Sequence, residues 1–94
     1  MFCINVILTA KNDADVPKIR ELLSEAARLS REEPGCVRFE VCHSSSNPAI
    51  FILCERWETE DAWKTHREEK AFQEIYKPKV MPLVERTPHI CELI

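Results

Sequence analysis

The chain opens on a two-residue rhythm. In FCINVILT (2–9), Phe2, Ile4, Val6 and Leu8 fall on one side and Cys3, Asn5 and Ile7 on the other, and the β-branched content predicts a strand. NDAD (12–15) offers side chains suited to an N-cap, and Pro17 suits a first helical turn. The rhythm then lengthens. Val16, Ile19, Leu22, Leu23, Ala26, Ala27 and Ser30 recur at helical spacing, which predicts one amphipathic helix running to about Glu32. Pro34 and Gly35 stop it, and the only glycine of the protein stands where positive φ is cheapest.

Alternation returns in CVRFEVCH (36–43), with Val37, Phe39, Val41 and His43 set against Cys36, Arg38, Glu40 and Cys42. SSSNP (44–48) is turn chemistry, so AIFILCERW (49–57) is the returning strand of a hairpin. That strand is apolar on both faces: Phe51, Leu53 and Trp57 on one, Ile50, Ile52 and Cys54 on the other. Both faces therefore need cover, yet a chain this short can lay its helices over only one. A second copy is the simplest cover for the other. Thr59 then caps a helix carrying Ala62, Trp63 and His66, with Glu60 and Asp61 in the first turn where the dipole favours them. A further helical piece places Ala71, Phe72, Ile75, Tyr76 and Val80 on one side, until Pro78 and Pro82 break or end it. Residues 85–94, ending in HICELI, read as a last strand. The order β-α-β-β-α-β, with a split second helix and an antiparallel sheet, predicts an α+β, ferredoxin-like single domain over residues 1–94.

Composition narrows the function classes. The balance of 13 basic and 16 acidic residues leaves a formal charge of −3, and no K/R-G-F/Y signature marks the strands, which argues against nucleic-acid binding. The longest uncharged apolar run, AIFILC, is too short to span a bilayer, and the N-terminus lacks a charged signal-like region, so no membrane partner is expected. Five cysteines without a C-x-x-C pair argue against a disulfide framework and a zinc site. Each lies in or beside an apolar run, and they read as core thiols of a cytoplasmic protein.

EEPGCVRFEVCHS, followed by NPAIFILCERWETEDAWKTHREEKAFQEI, resembles the antibiotic biosynthesis monooxygenase (ABM) domain family of the dimeric α/β barrel group. Pro34-Gly35, Phe39, Glu55, Trp57, Glu60-Asp61-Ala62, His66 and Phe72 carry the likeness. It implies a homodimer joined through its sheet faces and a pocket between sheet and helices in each protomer. It also implies oxidation of small quinol-like or enolisable aromatics by molecular oxygen, with no cofactor, neither metal nor flavin. An ionised phenol or enol can itself reduce oxygen, so the protein need only remove a proton, exclude water and steady the anion.

The resemblance singles out His66 as the catalytic base, an imidazole being suited to take that proton. Its neighbours Lys64, Arg67, Glu68 and Glu69 equally fit an exposed histidine. Asn5, Phe39, Trp57, Trp63 and Tyr76 are the expected substrate-binding residues. Trp57, Trp63 and Phe39 would be walls, and Asn5 and Tyr76 would orient the substrate or merely pack. Glu55, between Leu53 and Trp57, should have a raised pKa unless paired, and an ion pair at the dimer seam is the expected role. Two departures matter. Lys70-Ala71-Phe72 stands where many relatives read S-x-H-F, so a second pocket-side histidine is missing. Against the haem-degrading branch, Asn5 matches, but His66 and Tyr76 fall where that branch has a tryptophan and the iron ligand. The alternatives are an isomerase of the autoinducer-degrading type and a non-catalytic dimeric binder of small hydrophobic ligands.

Overall fold

The computed structural model describes residues 1–94. In chain order it contains β1 (Phe2–Ala10), α1 (Val16–Arg31), β2 (Cys36–His43), β3 (Ile50–Trp57), α2 (Glu60–His66), α3 (Ala71–Val80) and β4 (Val84–Cys91). The strands form one antiparallel sheet in the order β2-β3-β1-β4, so the fold is α+β and ferredoxin-like, as the sequence pattern predicts. All three helices lie on one face, and the 17 Å short dimension leaves room for one sheet and one helical layer.

Strand alternation decides what that layer covers. Leu8 stands opposite Phe51, Val6 opposite Leu53, and Phe2 opposite Trp57. All of these except the half-buried Phe2, with Ile19 and Leu23 of α1 and Val80 of α3, belong to the buried core on the helical side. On the other face Ile50, Ile52 and Cys54 are only half-buried and Ile7 is exposed, because no element of the chain covers them. The cysteines depart from expectation there. Cys3 alone is buried, Cys42 is exposed, and all five thiols are free. A strand next to an apolar run still turns every second residue outward.

One of the two N-terminal caps read from the sequence forms, since Asp15, at the N-cap position of α1, makes no side-chain cap bond. Asn12 accepts from the Ala14 amide in the turn that precedes α1, and Thr59 accepts from the Ala62 amide at the start of α2. Helix α3 is wound wide, with the Met81 amide bonding back five residues to the Tyr76 carbonyl. Pro78, which has no N–H to donate, lies inside it. β4 runs from Val84 to Cys91, earlier than the HICELI ending suggests. Its Pro88 is tolerated because β4 is an edge strand, where a missing donor breaks no ladder.

Gly35 has φ +82°, and a Cβ there would lie 2.7 Å from the Ala62 Cβ. Two constraints, left-handed backbone and contact with α2, therefore coincide at one residue. Gly35→Ala is expected to cost about 2–4 kcal/mol in urea unfolding, strain and crowding together. A loss under about 0.5 kcal/mol would show that α2 can shift freely away from the turn.

Candidate active site

Between the sheet and the helices lies a cavity of about 370 Å³, within the range of small-molecule sites. Its walls are mostly apolar, and His66, Glu55, Arg67, Tyr76 and Arg86 supply the polar groups. It opens along β4. There Arg86, Pro88 and Ile90 share the helical-side face but are exposed, whereas Val84 of the same strand is buried.

His66 points inward. It is the last residue of α2, one turn after Trp63, which stacks on Phe2 with ring centroids 4.8 Å apart. The imidazole side chain is 7% exposed and lies 4.6 Å from the Trp57 ring, with Phe39 and Phe72 at 5.7 and 6.1 Å. Its Nδ1 is 2.6 Å from Glu33 Oε1 and its Nε2 is 4.0 Å from Glu55 Oε1. Glu33 reaches this point from the turn after α1, where its amide bonds the Ser30 carbonyl and its own carbonyl accepts from Cys36. Glu55 comes from β3 and accepts from the Trp57 indole N–H at 3.1 Å.

Burial governs all three ionisable groups. Desolvation, together with the nearby charges of Glu69 and Glu55, pushes Glu33 up to about 7. Glu55 also rises to about 7, desolvation outweighing the Trp57 hydrogen bond and the field of Arg86. Desolvation, with Arg67 adding to it, lowers His66 to about 4. Once Glu33 is ionised it accepts the Nδ1 proton, and the Nε2 lone pair is left free. The 4 Å interval between Nε2 and Glu55 suits a hydroxyl or an acidic C–H. Such a pair can take a proton at Nε2, and Glu33 can steady the imidazolium that results.

Four of the six sequence-predicted residues, His66, Phe39, Trp63 and Tyr76, line this cavity. Trp57 lies behind them, fully buried, as the floor under the imidazole. Asn5 does not reach the cavity. Alternation turns it to the opposite face, where its amide donates to Cys91 Sγ at 3.3 Å. Glu55 likewise departs from its expected seam position, because it shares the helical-side face with Leu53 and Trp57. Arg38 pairs instead with Glu40 on the far face. Glu33 and Arg86 had not been singled out. Arg86 Nε donates to the Tyr76 hydroxyl at 2.7 Å, and its guanidinium lies 5.4 Å from that ring.

The raised Glu55 has a consequence for stability. Between pH 4.5 and about 7 the folded protein holds a proton on Glu55 that the unfolded chain has released, so stability falls as pH rises through this window. The Glu33–His66 pair adds little slope between pH 4.5 and 6.5, since folded and unfolded chains each hold one proton on it. Glu55→Gln, which keeps the acceptor for Trp57, is expected to flatten the decline and to gain up to about 3 kcal/mol at pH 8. Urea melts of both proteins at pH 5, 6, 7 and 8 measure it, and parallel profiles would refute it.

The sequence profile of the antibiotic biosynthesis monooxygenase family matches residues 1–78. "Putative monooxygenase YcnE" of Bacillus subtilis (strain 168) is 32% identical over 71 residues, which cover 72% of this chain and 75% of that one. Among solved structures, a conserved Bacteroides thetaiotaomicron VPI-5482 protein of unknown function, described as a possible oxidoreductase, superposes with a TM-score of 0.89. It is 24% identical, with 98% of this chain and 96% of that one covered. Rv0793 from Mycobacterium tuberculosis superposes with a TM-score of 0.82 at 20% identity, covering 100% and 97%. These two likenesses establish the fold. Profile, relative and fold agree: the chain belongs to the antibiotic biosynthesis monooxygenase family.

Proposed function

We propose that this protein is a monooxygenase of small quinol-like or enolisable aromatics, acting by proton abstraction at His66 followed by direct reaction of the substrate anion with oxygen. The observation that carries this reading is the buried Glu33–His66 pair in the wall of an apolar cavity. His66 Nε2 takes the proton of a ring hydroxyl or of an activated C–H, and Glu33 steadies the imidazolium. The electron-rich carbanion passes an electron to oxygen, the two radicals combine, and the hydroperoxide loses water. In an enolisable substrate a CH₂ becomes C=O, and in a quinol a ring C–H becomes C–OH as the ring goes to the quinone; in either, one oxygen atom stays in the product, the other leaves as water, and the substrate supplies all the electrons. Phe39, Trp63 and Phe72 keep bulk water off the anion, and the Tyr76 hydroxyl, with a lone pair already engaged by Arg86, directs its own proton into the cavity.

Oxygen uptake with a menadiol-type quinol tests this reading. The wild-type protein should consume oxygen above the autoxidation rate, and His66→Gln should lower kcat by about 10²-fold or more. The rate should rise with pH through about 7, as Glu33 ionises and frees Nε2, and Glu33→Gln should remove that rise. Uptake unchanged in His66→Gln would overturn the assignment of the base.

One observation favours a second reading. Glu55 stands 4.0 Å from Nε2 with its pKa raised, so the cavity also holds an acid that could return a proton to a different atom, as isomerisation of a hydroxy-ketone requires. Proton exchange into deuterated water under argon, without oxygen uptake, would favour it. The half-covered face bearing Ile50, Ile52 and Cys54 supports a second copy of the chain packed sheet to sheet. Sedimentation at micromolar concentration should then give twice the 11.0 kDa chain mass.

A further inference from the structure

Arg67 and Arg86 are the two cationic side chains that line the cavity. Arg28 is paired with Glu25 and Arg38 with Glu40, Arg20 bonds His43, and Arg31 donates to the Phe39 carbonyl. Arg67 and Arg86 have no carboxylate within 4.0 Å, in a chain where acidic residues outnumber basic ones. Both line the cavity, and each is held against its aromatic wall. The Arg67 guanidinium lies 5.3 Å from the Trp63 ring and 5.5 Å from Phe72, and that of Arg86 lies 5.4 Å from Tyr76. Seated on rings, these planar forks are fixed in place with most of their N–H donors unused. Arg86 spends only Nε on Tyr76, which leaves the terminal nitrogens for a ligand. Glu55, which could have neutralised Arg86, is held toward its neutral form by burial.

We propose that the cavity selects an aromatic substrate that carries a carboxylate, with Arg86 binding that anion at the β4 mouth, Arg67 adding positive charge from the α2 side, and the reacting hydroxyl or C–H lying against His66. The proposal rests on the reading of this cavity as the substrate site, and it names the substrate class. A guanidinium offers a carboxylate two parallel N–H bonds, a charge-assisted pairing that these two exposed residues make at the solvent edge of the cavity. Two such forks beside an otherwise apolar wall favour a flat body with one charged corner over a neutral aromatic of the same size. Anchored at that corner, the ring system is turned so that its opposite part meets the base.

Binding of two probes under argon, where no oxidation can run, separates this proposal from the oxygenase reading. Titrating the protein with 1-hydroxy-2-naphthoate and with 1-naphthol, followed by tryptophan fluorescence, should show the carboxylate bound at least about tenfold tighter. Arg86→Gln and Arg67→Gln should each shrink that preference several-fold, and the double variant should abolish it, the loss for the carboxylate exceeding any loss for 1-naphthol by about tenfold. Arg20→Gln, in the separate concavity beside His43, should alter neither probe. Equal affinity for both probes in the wild-type protein, or a preference that survives in the double variant, overturns the proposal. A carboxylate preference lost in the double variant, with no oxygen uptake from any quinol, would uphold the anion site and refute only the oxygenase chemistry.

Discussion

Charge cannot be taken out of water without a partner or a proton, and the helical side of this sheet is arranged around that constraint. Glu33, Glu55 and His66 come from three separate parts of the chain and meet in a space walled by Trp57, Phe39 and Phe72. Burial there makes every additional charge expensive. The consequence is a shared economy of protons. Glu33 and His66 hold one between them, and Glu55 keeps its own through most of the acidic range. Every buried polar side-chain atom nevertheless has a hydrogen-bond partner, so the groups are poised without being strained. An exposed imidazole on α2 would titrate in the ordinary range and face water. The same ring beneath α2 stays neutral with one nitrogen tethered and the other free.

Periodicity made the architecture legible. The strand rhythm of residues 2–9, the helical spacing after Pro17 and the cap at Thr59 are local signals, and local hydrogen bonding honoured them. His66 was legible as a residue type but not as a direction, since a helix edge among charged neighbours serves water as well as a cavity. The rule that turns Asn5 away from the cavity was present in the sequence too, for Asn5 lies out of phase with Ile4 and Val6. The chemistry of an amide on an apolar strand outweighed that parity in the expectation. Glu55 shows the reverse, its parity with Leu53 and Trp57 pointing inward while the expectation is an ion pair at the dimer seam.

Glu33 and Arg86 were hidden for a different reason. Glu33 follows Glu32 in a helix-ending REEPG stretch, and nothing local distinguishes the carboxylate that turns inward from the one that does not. Its direction is set by the turn between α1 and β2 and by where α2 lies, a contact 33 residues away. Arg86 belongs to an edge strand whose start was read one residue late and whose facing depends on register against β1, where Leu8 is its partner. Tertiary placement supplies such information, and propensity does not.

The wide-wound helix α3 supplies the aromatic wall of the cavity. When amides bond back five residues, a turn takes between four and five residues, and side chains four apart come nearly into line. Ala71 and Ile75 then form one short stripe, packed with Ala26 of α1, while Phe72 and Tyr76 form the next, with ring centroids 5.4 Å apart. The first stripe fastens the helix to its neighbour. The second is carried toward the sheet, where its two rings meet His66 at one end and Arg86 at the other. A regular α-helix also keeps residues four apart on one face, about 40° past one another, so the wide winding changes the lean of the two rings and not their sharing of a wall. Pro78, inside this segment, has no N–H to give to its winding and so belongs to the helix that carries the aromatic wall between the base and the guanidinium, whereas Pro82 lies in the turn after it.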